Sequence, residues 1–165
     1  MEAGLPPLLA PGLRVVFVGT EPGPESLRTN SYYANRRNSF WKDLHSVGLV
    51  PIVLEPAHFR EALDFGIGLD DVYDDPAGLC RRLVAASPRA VCFNSKAALA
   101  RVAQEKVAPP WTGANASRWV ALPGMLVWAL PDSSPTASAY RRLRLKELQA
   151  LVRRVERSDG NLSTE

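Results

Sequence analysis

Hydrophobic residues in this 165-residue chain form two kinds of pattern, short continuous runs and stripes with helical spacing. The clearest run is 15–18, four β-branched or aromatic residues that end at Gly19. Such a run is typical of a strand buried on both faces of a parallel sheet. On this basis four strands are predicted: 13–18, 90–93, 119–122 and 126–130.

The segments between these runs carry apolar residues at every third or fourth position, which predicts helices. The strongest stripe is Leu148, Leu151, Val152 and Val155 near the end of the chain. Residues that favour helix termini support the boundaries, such as Ser39 before the segment 40–47. The predicted helices are 39–47, 57–65, 75–86, 95–107 and 140–157.

Strands that alternate with helices predict an α/β fold, specifically a single-domain three-layer α/β/α sandwich around a mostly parallel four-stranded sheet. The predicted domain is 13–157. The proline- and glycine-rich segment 1–12 is expected to form an N-terminal arm, and the polar segment 158–165 a disordered tail.

Composition narrows the function only slightly. A net charge of +3 permits a polyanionic partner without requiring one. Two cysteines and two histidines cannot build a four-cysteine iron–sulfur cluster and indicate no zinc site, so no metal or cofactor is expected. No apolar run is long enough to span a membrane and no signal peptide is recognised, so a cytoplasmic protein is expected, nucleoid-associated in a prokaryote.

Two neighbouring segments carry the candidate chemistry. Glu21 follows the first strand, at the strand end where α/β sheets place ligands. The loop 28–38 then holds two tyrosines, three asparagines and three arginines. Aromatic rings stack on bases, amides bind base edges and guanidinium groups bind phosphate, so this loop favours nucleic-acid recognition.

The segments Gly19-Thr20-Glu21-Pro22-Gly23 and 33–41 (YANRRNSFW) together resemble motifs of the uracil-DNA glycosylase superfamily. The likeness is greatest to its mismatch-specific uracil/thymine and hypoxanthine-acting branches, and it extends in order along 13–152. The resemblance implies a monofunctional, monomeric DNA glycosylase. Its partner would be DNA containing uracil, particularly opposite guanine, or hypoxanthine or another deaminated base.

Three residues are candidates for handling the attacking water. Glu21 occupies the position where relatives carry a catalytic Asn or Asp, although a turn carboxylate is the alternative. Asp71 matches the Asp of a Gly-hydrophobic-Gly-Leu-x-Asp stretch that some mismatch glycosylases use in catalysis; a solvated acidic loop is the alternative. Asn38 matches a loop Asn that is essential in hypoxanthine-acting relatives, or it pins the loop through backbone amides.

The resemblance assigns base binding to Tyr33, Asn94 and Thr20. Tyr33 would stack on the flipped base, or be a tyrosine half-buried under a loop. Asn94 would read the pyrimidine edge with its donor and acceptor, or cap the helix that starts at Ser95. Tyr32 is expected to pack inside.

Phosphate contacts are expected from side chains near these loops: Ser133, Ser134, Arg36, Arg37 and Lys96. The two serines belong to the segment 130–136, which matches the superfamily's second motif. Relatives read His-Pro-Ser, Asn-Pro-Ser or Leu-Pro-Ser there, and this chain begins the motif with Leu130, which lacks an imidazole to stabilise a base anion. A second basic cluster is expected on Arg141, Arg142, Arg144 and Lys146.

A second function remains open on the sequence alone. A catalytically weak or inactive relative would recognise damaged or single-stranded DNA without cutting it. Glu21 in the first motif and Leu130 in the second are the features that favour this alternative.

Overall fold

The computed structural model describes residues 4–162, with side chains described as far as Arg157. The four strands are β1 (Val15–Gly19), β2 (Ile67–Asp71), β3 (Ala90–Phe93) and β4 (Leu126–Ala129). The five α-helices are α1 (Pro24–Thr29), α2 (Phe40–Ser46), α3 (Pro76–Ala86), α4 (Lys96–Ala103) and α5 (Arg141–Leu162). Three 3₁₀ segments lie between them: Pro56–Phe65, Ala114–Arg118 and Pro135–Tyr140.

The strands form one sheet in the order β2-β1-β3-β4, and every pair of neighbours is parallel. β1 divides its side chains between the two faces, because successive residues of a strand point to opposite sides. Val15 and Phe17 pack with α2, α5 and the 3₁₀ segment Pro56–Phe65. Val16 and Val18 pack with α3 and α4. The predicted α/β/α sandwich is therefore confirmed.

One predicted strand is wrong and one real strand was not predicted. Residues 119–122 follow a 3₁₀ turn and form no strand, although Val120 and Leu122 are buried in the core. The fourth strand is instead β2, whose sequence IGLDD is buried throughout. Asp70 and Asp71 interrupt the apolar run by which a buried strand is recognised.

The predicted helices are found, with shifts at their ends. α4 ends at Ala103 rather than at residue 107, because Gln104 adopts a left-handed conformation with φ 56°. α5 runs to Leu162, which lies inside the segment predicted as a tail; residues 163–165 lie outside the described residues. Within the described part of the chain, no helix is both long and apolar enough to cross a membrane.

Both edges of the sheet carry an additional bridge. In the predicted arm, Leu8 pairs antiparallel with Leu69 of β2 through two backbone hydrogen bonds of 2.8 and 3.0 Å. At the other edge, Gly113 pairs antiparallel with Ala129 of β4. The bridge at Leu69 lies two residues before the end of β2, where the candidate site begins.

Candidate active site

The carboxyl ends of β1, β2 and β3 open into a cavity of about 320 Å³. Gly19 and Asp71 end the paired strands β1 and β2 at the same level, and Asn94 directly follows β3. Seven of the predicted site residues line this cavity: Thr20, Glu21, Tyr33, Asn38, Asp71, Asn94 and Ser134. The fold thus brings the water-handling and base-binding candidates together at the edge where parallel sheets place ligands.

Asp71 is a buried carboxyl group at the end of β2, with 4% of its surface exposed. Burial, with the nearby charges of Asp70 and Glu21, raises the pKa of Asp71 to about 7, and a backbone hydrogen bond from Gly19 opposes the rise only in part. The alternative of a solvated acidic loop is therefore wrong for Asp71. The Asp71 side chain can gain or lose a proton near neutral pH.

Gly19 is a glycine for a steric reason. A Cβ built at Gly19 would lie 2.6 Å from Asp71 Oδ1 and 3.2 Å from the Tyr33 hydroxyl. Both distances are shorter than ordinary van der Waals contact, so any larger residue would displace a side chain of the cavity.

Glu21 lies at the rim of the cavity in a different environment. Its side chain is 57% exposed, and its carboxylate forms an ion pair with Arg101 Nη2 at 3.0 Å. An exposed pair of this kind contributes little to stability. Glu21 therefore adds negative charge near Asp71, whereas Asp71 is the carboxyl group that is shielded from water.

Tyr33 is half-buried, and one face of its ring is already covered. It stacks on Phe40, with ring centroids 3.9 Å apart and an interplanar angle of 18°. Its hydroxyl is buried without a hydrogen-bond partner among the described residues, and burial raises its pKa well above the usual value. Only the opposite ring face can receive another ring. Tyr32, as predicted, is buried.

Asn38 lines the cavity and also supports its own loop. Its Oδ1 accepts a hydrogen bond from the Phe40 backbone N–H at 3.0 Å. Asn38 therefore does pin its loop through a backbone amide, as the alternative interpretation expected. The Asn38 amide nitrogen is not used in that bond.

Asn94 is buried and held at both ends of its amide. Its Nδ2 donates to Ser133 Oγ at 2.9 Å, and its Oδ1 accepts from Arg144 Nη1 at 2.7 Å. The alternative that Asn94 caps α4 is wrong, because Ser95 is the cap and its hydroxyl accepts from the Ala98 N–H at 3.1 Å.

The phosphate-binding candidates separate into exposed and buried residues. Arg36, Arg37 and Lys96 are exposed, and half-buried Ser134 hydrogen-bonds Thr136. Ser133 is only 2% exposed and its hydroxyl is bonded to Asn94. The hydroxyl is thus buried and already bonded in this structure, which argues against the predicted phosphate contact of the Ser133 side chain.

The predicted basic cluster on α5 is wrong for Arg144. This side chain is only 1% exposed and does not belong to the surface. It pairs with Asp43, which is itself fully buried on α2. Sequence reasoning missed this ion pair, although a signal was present. Arg144 precedes Leu148, Leu151 and Val155 at helical spacing, and therefore lies on the buried stripe of α5.

Comparisons with known proteins bear on the family and the fold of this chain. A family model described as the uracil DNA glycosylase superfamily matches residues 6–156. The chain is also similar to a solution NMR structure of a candidate uracil DNA glycosylase from Methanosarcina acetivorans. That pair has 21% sequence identity and a TM-score of 0.60, and the likeness covers 93% of this chain and 97% of the other. At this identity the structural likeness concerns the fold.

Proposed function

The chain belongs to the uracil DNA glycosylase superfamily, and on that premise we propose that it hydrolyses the N-glycosidic bond of uracil in DNA. Uracil opposite guanine is the proposed main substrate, and hypoxanthine and other deaminated bases are proposed as further ones. The observation that carries the proposal is the position of Asp71. A buried carboxyl group faces the same cavity as an aromatic ring and a buried amide.

Base removal starts with extrusion of the nucleotide from the duplex. The base would enter the cavity and stack on the face of Tyr33 opposite Phe40, which contributes about 1–3 kcal/mol. The remaining N–H of Asn94 would donate to an oxygen of the base. Together these contacts orient the sugar carbon C1′ toward the water.

Asp71 would handle that water. As a carboxylate it accepts a proton from water while the oxygen attacks C1′. The C1′–N bond breaks, its electron pair leaves with the base, and the base is then protonated by solvent. A base with a pKa of about 7 suits this role near neutral pH, because it is partly ionised and still basic enough to take a proton.

The proposed reaction is monofunctional, without strand cleavage. A lyase step on the sugar needs an amine that forms a Schiff base. The described residues that line the cavity include no lysine. Exposed Arg36, Arg37 and Lys96 are proposed to contact the flanking phosphates, which sets affinity rather than base choice.

The test is incubation with a duplex that carries one uracil opposite guanine, followed by alkali and electrophoresis. Alkali-dependent cleavage at the uracil is expected for the natural chain, and Asp71→Asn is the matched inactive control. Direct cleavage without alkali would contradict the monofunctional assignment.

The alternative, a DNA-binding relative that does not cut, is favoured by two observations. Glu21 is exposed and paired with Arg101. Leu130 is fully buried and offers no polar group to a departing base anion. Retarded migration of uracil-containing DNA without alkali-dependent cleavage would select this alternative.

A further inference from the structure

We infer that Arg144 is a positioning residue that determines base specificity, because it fixes the orientation of the Asn94 amide. In that orientation the amide N–H faces the base, so the site binds a base with an oxo group opposite this N–H and excludes a base with an amino group there. This inference rests on the proposed function and deepens it. Arg144 belongs to α5 and is not among the residues that line the cavity.

Two of the three guanidinium nitrogens of Arg144 are held by hydrogen bonds, and the third, Nη2, is buried without a partner among the described residues. Nη1 donates to Asn94 Oδ1 at 2.7 Å and to the Pro131 carbonyl at 2.8 Å. Nε donates to Asp43 Oδ2 at 2.7 Å. On the other side of the amide, Asn94 Nδ2 donates to Ser133 Oγ at 2.9 Å.

The chemistry of the guanidinium then determines which way the amide faces. Arginine has five N–H donors, no acceptor, and stays protonated in proteins. The atom of Asn94 that faces Arg144 must therefore be the oxygen. A flipped amide would bring two donors together and leave a buried charged N–H unsatisfied, which is costly.

Because Arg144 holds the Asn94 Oδ1, the position of the Asn94 Nδ2 donor is fixed as well. Asn94 Nδ2 carries two hydrogens and Ser133 accepts one. The second is available to a ligand in the cavity that Asn94 lines. An oxo group of uracil or hypoxanthine would accept this N–H. The amino group of cytosine or adenine in the same place would meet it donor against donor.

Arg144 can remain buried because Asp43 balances its charge, and Asp43 also provides a control. Arg141 pairs with the other carboxylate oxygen of Asp43 at 2.9 Å and is 42% exposed. The Asn94 amide is bonded to Ser133 and Arg144 instead. Arg141→Gln therefore removes one ion pair of the same carboxylate and leaves the orienting contact in place.

The experiment measures base preference in binding, so that it does not depend on turnover. Duplexes carry 2′-fluoro-deoxyuridine or 2′-fluoro-deoxycytidine, which resist cleavage, each opposite an abasic site so that extrusion breaks no base pair. The natural chain should bind the uracil duplex at least about tenfold more tightly. Arg144→Gln should lower this ratio by about tenfold, because glutamine can present either a donor or an acceptor to Asn94. Arg141→Gln should keep the ratio.

A second measurement needs no variant. In the NMR spectrum of the natural chain, Arg144 Nη1 should show scalar coupling across its hydrogen bonds to the side-chain carbonyl carbon of Asn94 and to the carbonyl carbon of Pro131. A coupling to Pro131 without one to Asn94 would overturn the inference, because a flipped amide presents no oxygen to Arg144. So would equal binding of the two duplexes by the natural chain, or an equal loss for both in Arg144→Gln. A chain that prefers the uracil duplex but releases no uracil would refute the proposed function and leave this inference standing.

Discussion

Asp70 and Asp71 are adjacent in β2, yet their carboxyl groups have opposite environments. Asp70 forms an ion pair with Arg82 at 2.9 Å and accepts the Asp71 backbone N–H at 2.8 Å. Asp71 has no ion pair within the described residues, and burial next to Asp70 raises its pKa to about 7. Asp70 is thus a structural carboxylate, and its charge helps to keep its neighbour proton-active.

The three water-handling candidates should respond differently to substitution. Asp71→Asn keeps the shape of the side chain but removes the proton acceptor, so single-turnover uracil release should fall by about 10²–10⁴-fold. Glu21→Gln should stay within about threefold because Glu21 is exposed at the rim. Asn38→Ala should lie between them. Rates within about threefold of the natural chain for all three would remove the catalytic assignment and leave the DNA-binding alternative.

The pH dependence of activity should report the Asp71 carboxyl group. Because the carboxylate is the active form, kcat/KM should decline as the pH falls below about 7. Glu21→Gln removes a like charge that raises the pKa of Asp71, so its acid limb should move to lower pH. If the acid limb of Glu21→Gln, measured at constant ionic strength, is not shifted, the charge of Glu21 does not influence the pKa of the group that limits activity.

The contribution of Asp71 to the free energy of unfolding should fall as the pH rises, whereas activity should increase. Between pH 3.8 and about 7 folded Asp71 retains a proton that the unfolded chain releases, so its contribution becomes increasingly unfavourable as pH rises. A rise in pKa from 3.8 to about 7 corresponds to about 4 kcal/mol at most. Asp71→Asn should therefore raise the free energy of unfolding at pH 8 and change it little at pH 4, as measured by urea denaturation. Asp70→Asn, which breaks the pair with Arg82, should not stabilise at either pH.

Two glycines at the same turn should differ in their tolerance to alanine. Gly19→Ala places a methyl group 2.6 Å from Asp71 Oδ1, and the displaced carboxyl group should cost about 10²-fold in kcat/KM. Gly23→Ala meets no atom within 4 Å and should stay within about twofold. Equal kinetics for the two variants would show that the position of the Asp71 carboxyl group does not limit the reaction.

Tyr33 allows the ring and the hydroxyl to be tested separately. Tyr33→Ala removes the stacking surface, so kcat/KM should fall by about 5- to 150-fold. Tyr33→Phe keeps the ring and removes a buried hydroxyl that has no partner in the described part of the chain. This change should leave kcat/KM nearly unchanged and raise the melting temperature. Unchanged kinetics and melting temperature in Tyr33→Ala would exclude this residue from the site.

The sequence predicted those elements whose own residues form a recognisable hydrophobic pattern. The apolar runs of β1, β3 and β4 and the stripe of α5 each identify their own structure. β2 could not be recognised in this way, because two of its buried residues are aspartates and the partner of Asp70, Arg82, lies in α3. The apolar segment 119–122 was wrongly predicted as a strand, because Val120 and Leu122 are buried in the core although they belong to a loop.

The candidate site shows the same division. Glu21, Tyr33 and Asn38 lie in two motifs close together in the chain, and the fold places all three at one cavity. The Asn94–Arg144 contact joins residues 50 positions apart, and no local pattern specifies which buried arginine faces which amide. The burial of Ser133 follows from that same contact network and was not predicted.

The bridges at Leu8 and Gly113 have a consequence for encounters between copies of this chain. An open edge strand offers backbone groups to which a strand of another molecule can add, and such addition leads to aggregation. Here β2 is paired outward at Leu69 and β4 at Ala129 by segments that are not strands. A second molecule would have to displace the 4–12 segment or the Gly113 turn before it could extend the sheet. Deletion of the segment through Leu8 removes the bridge at Leu69. We therefore expect it to increase self-association during storage, measurable by light scattering.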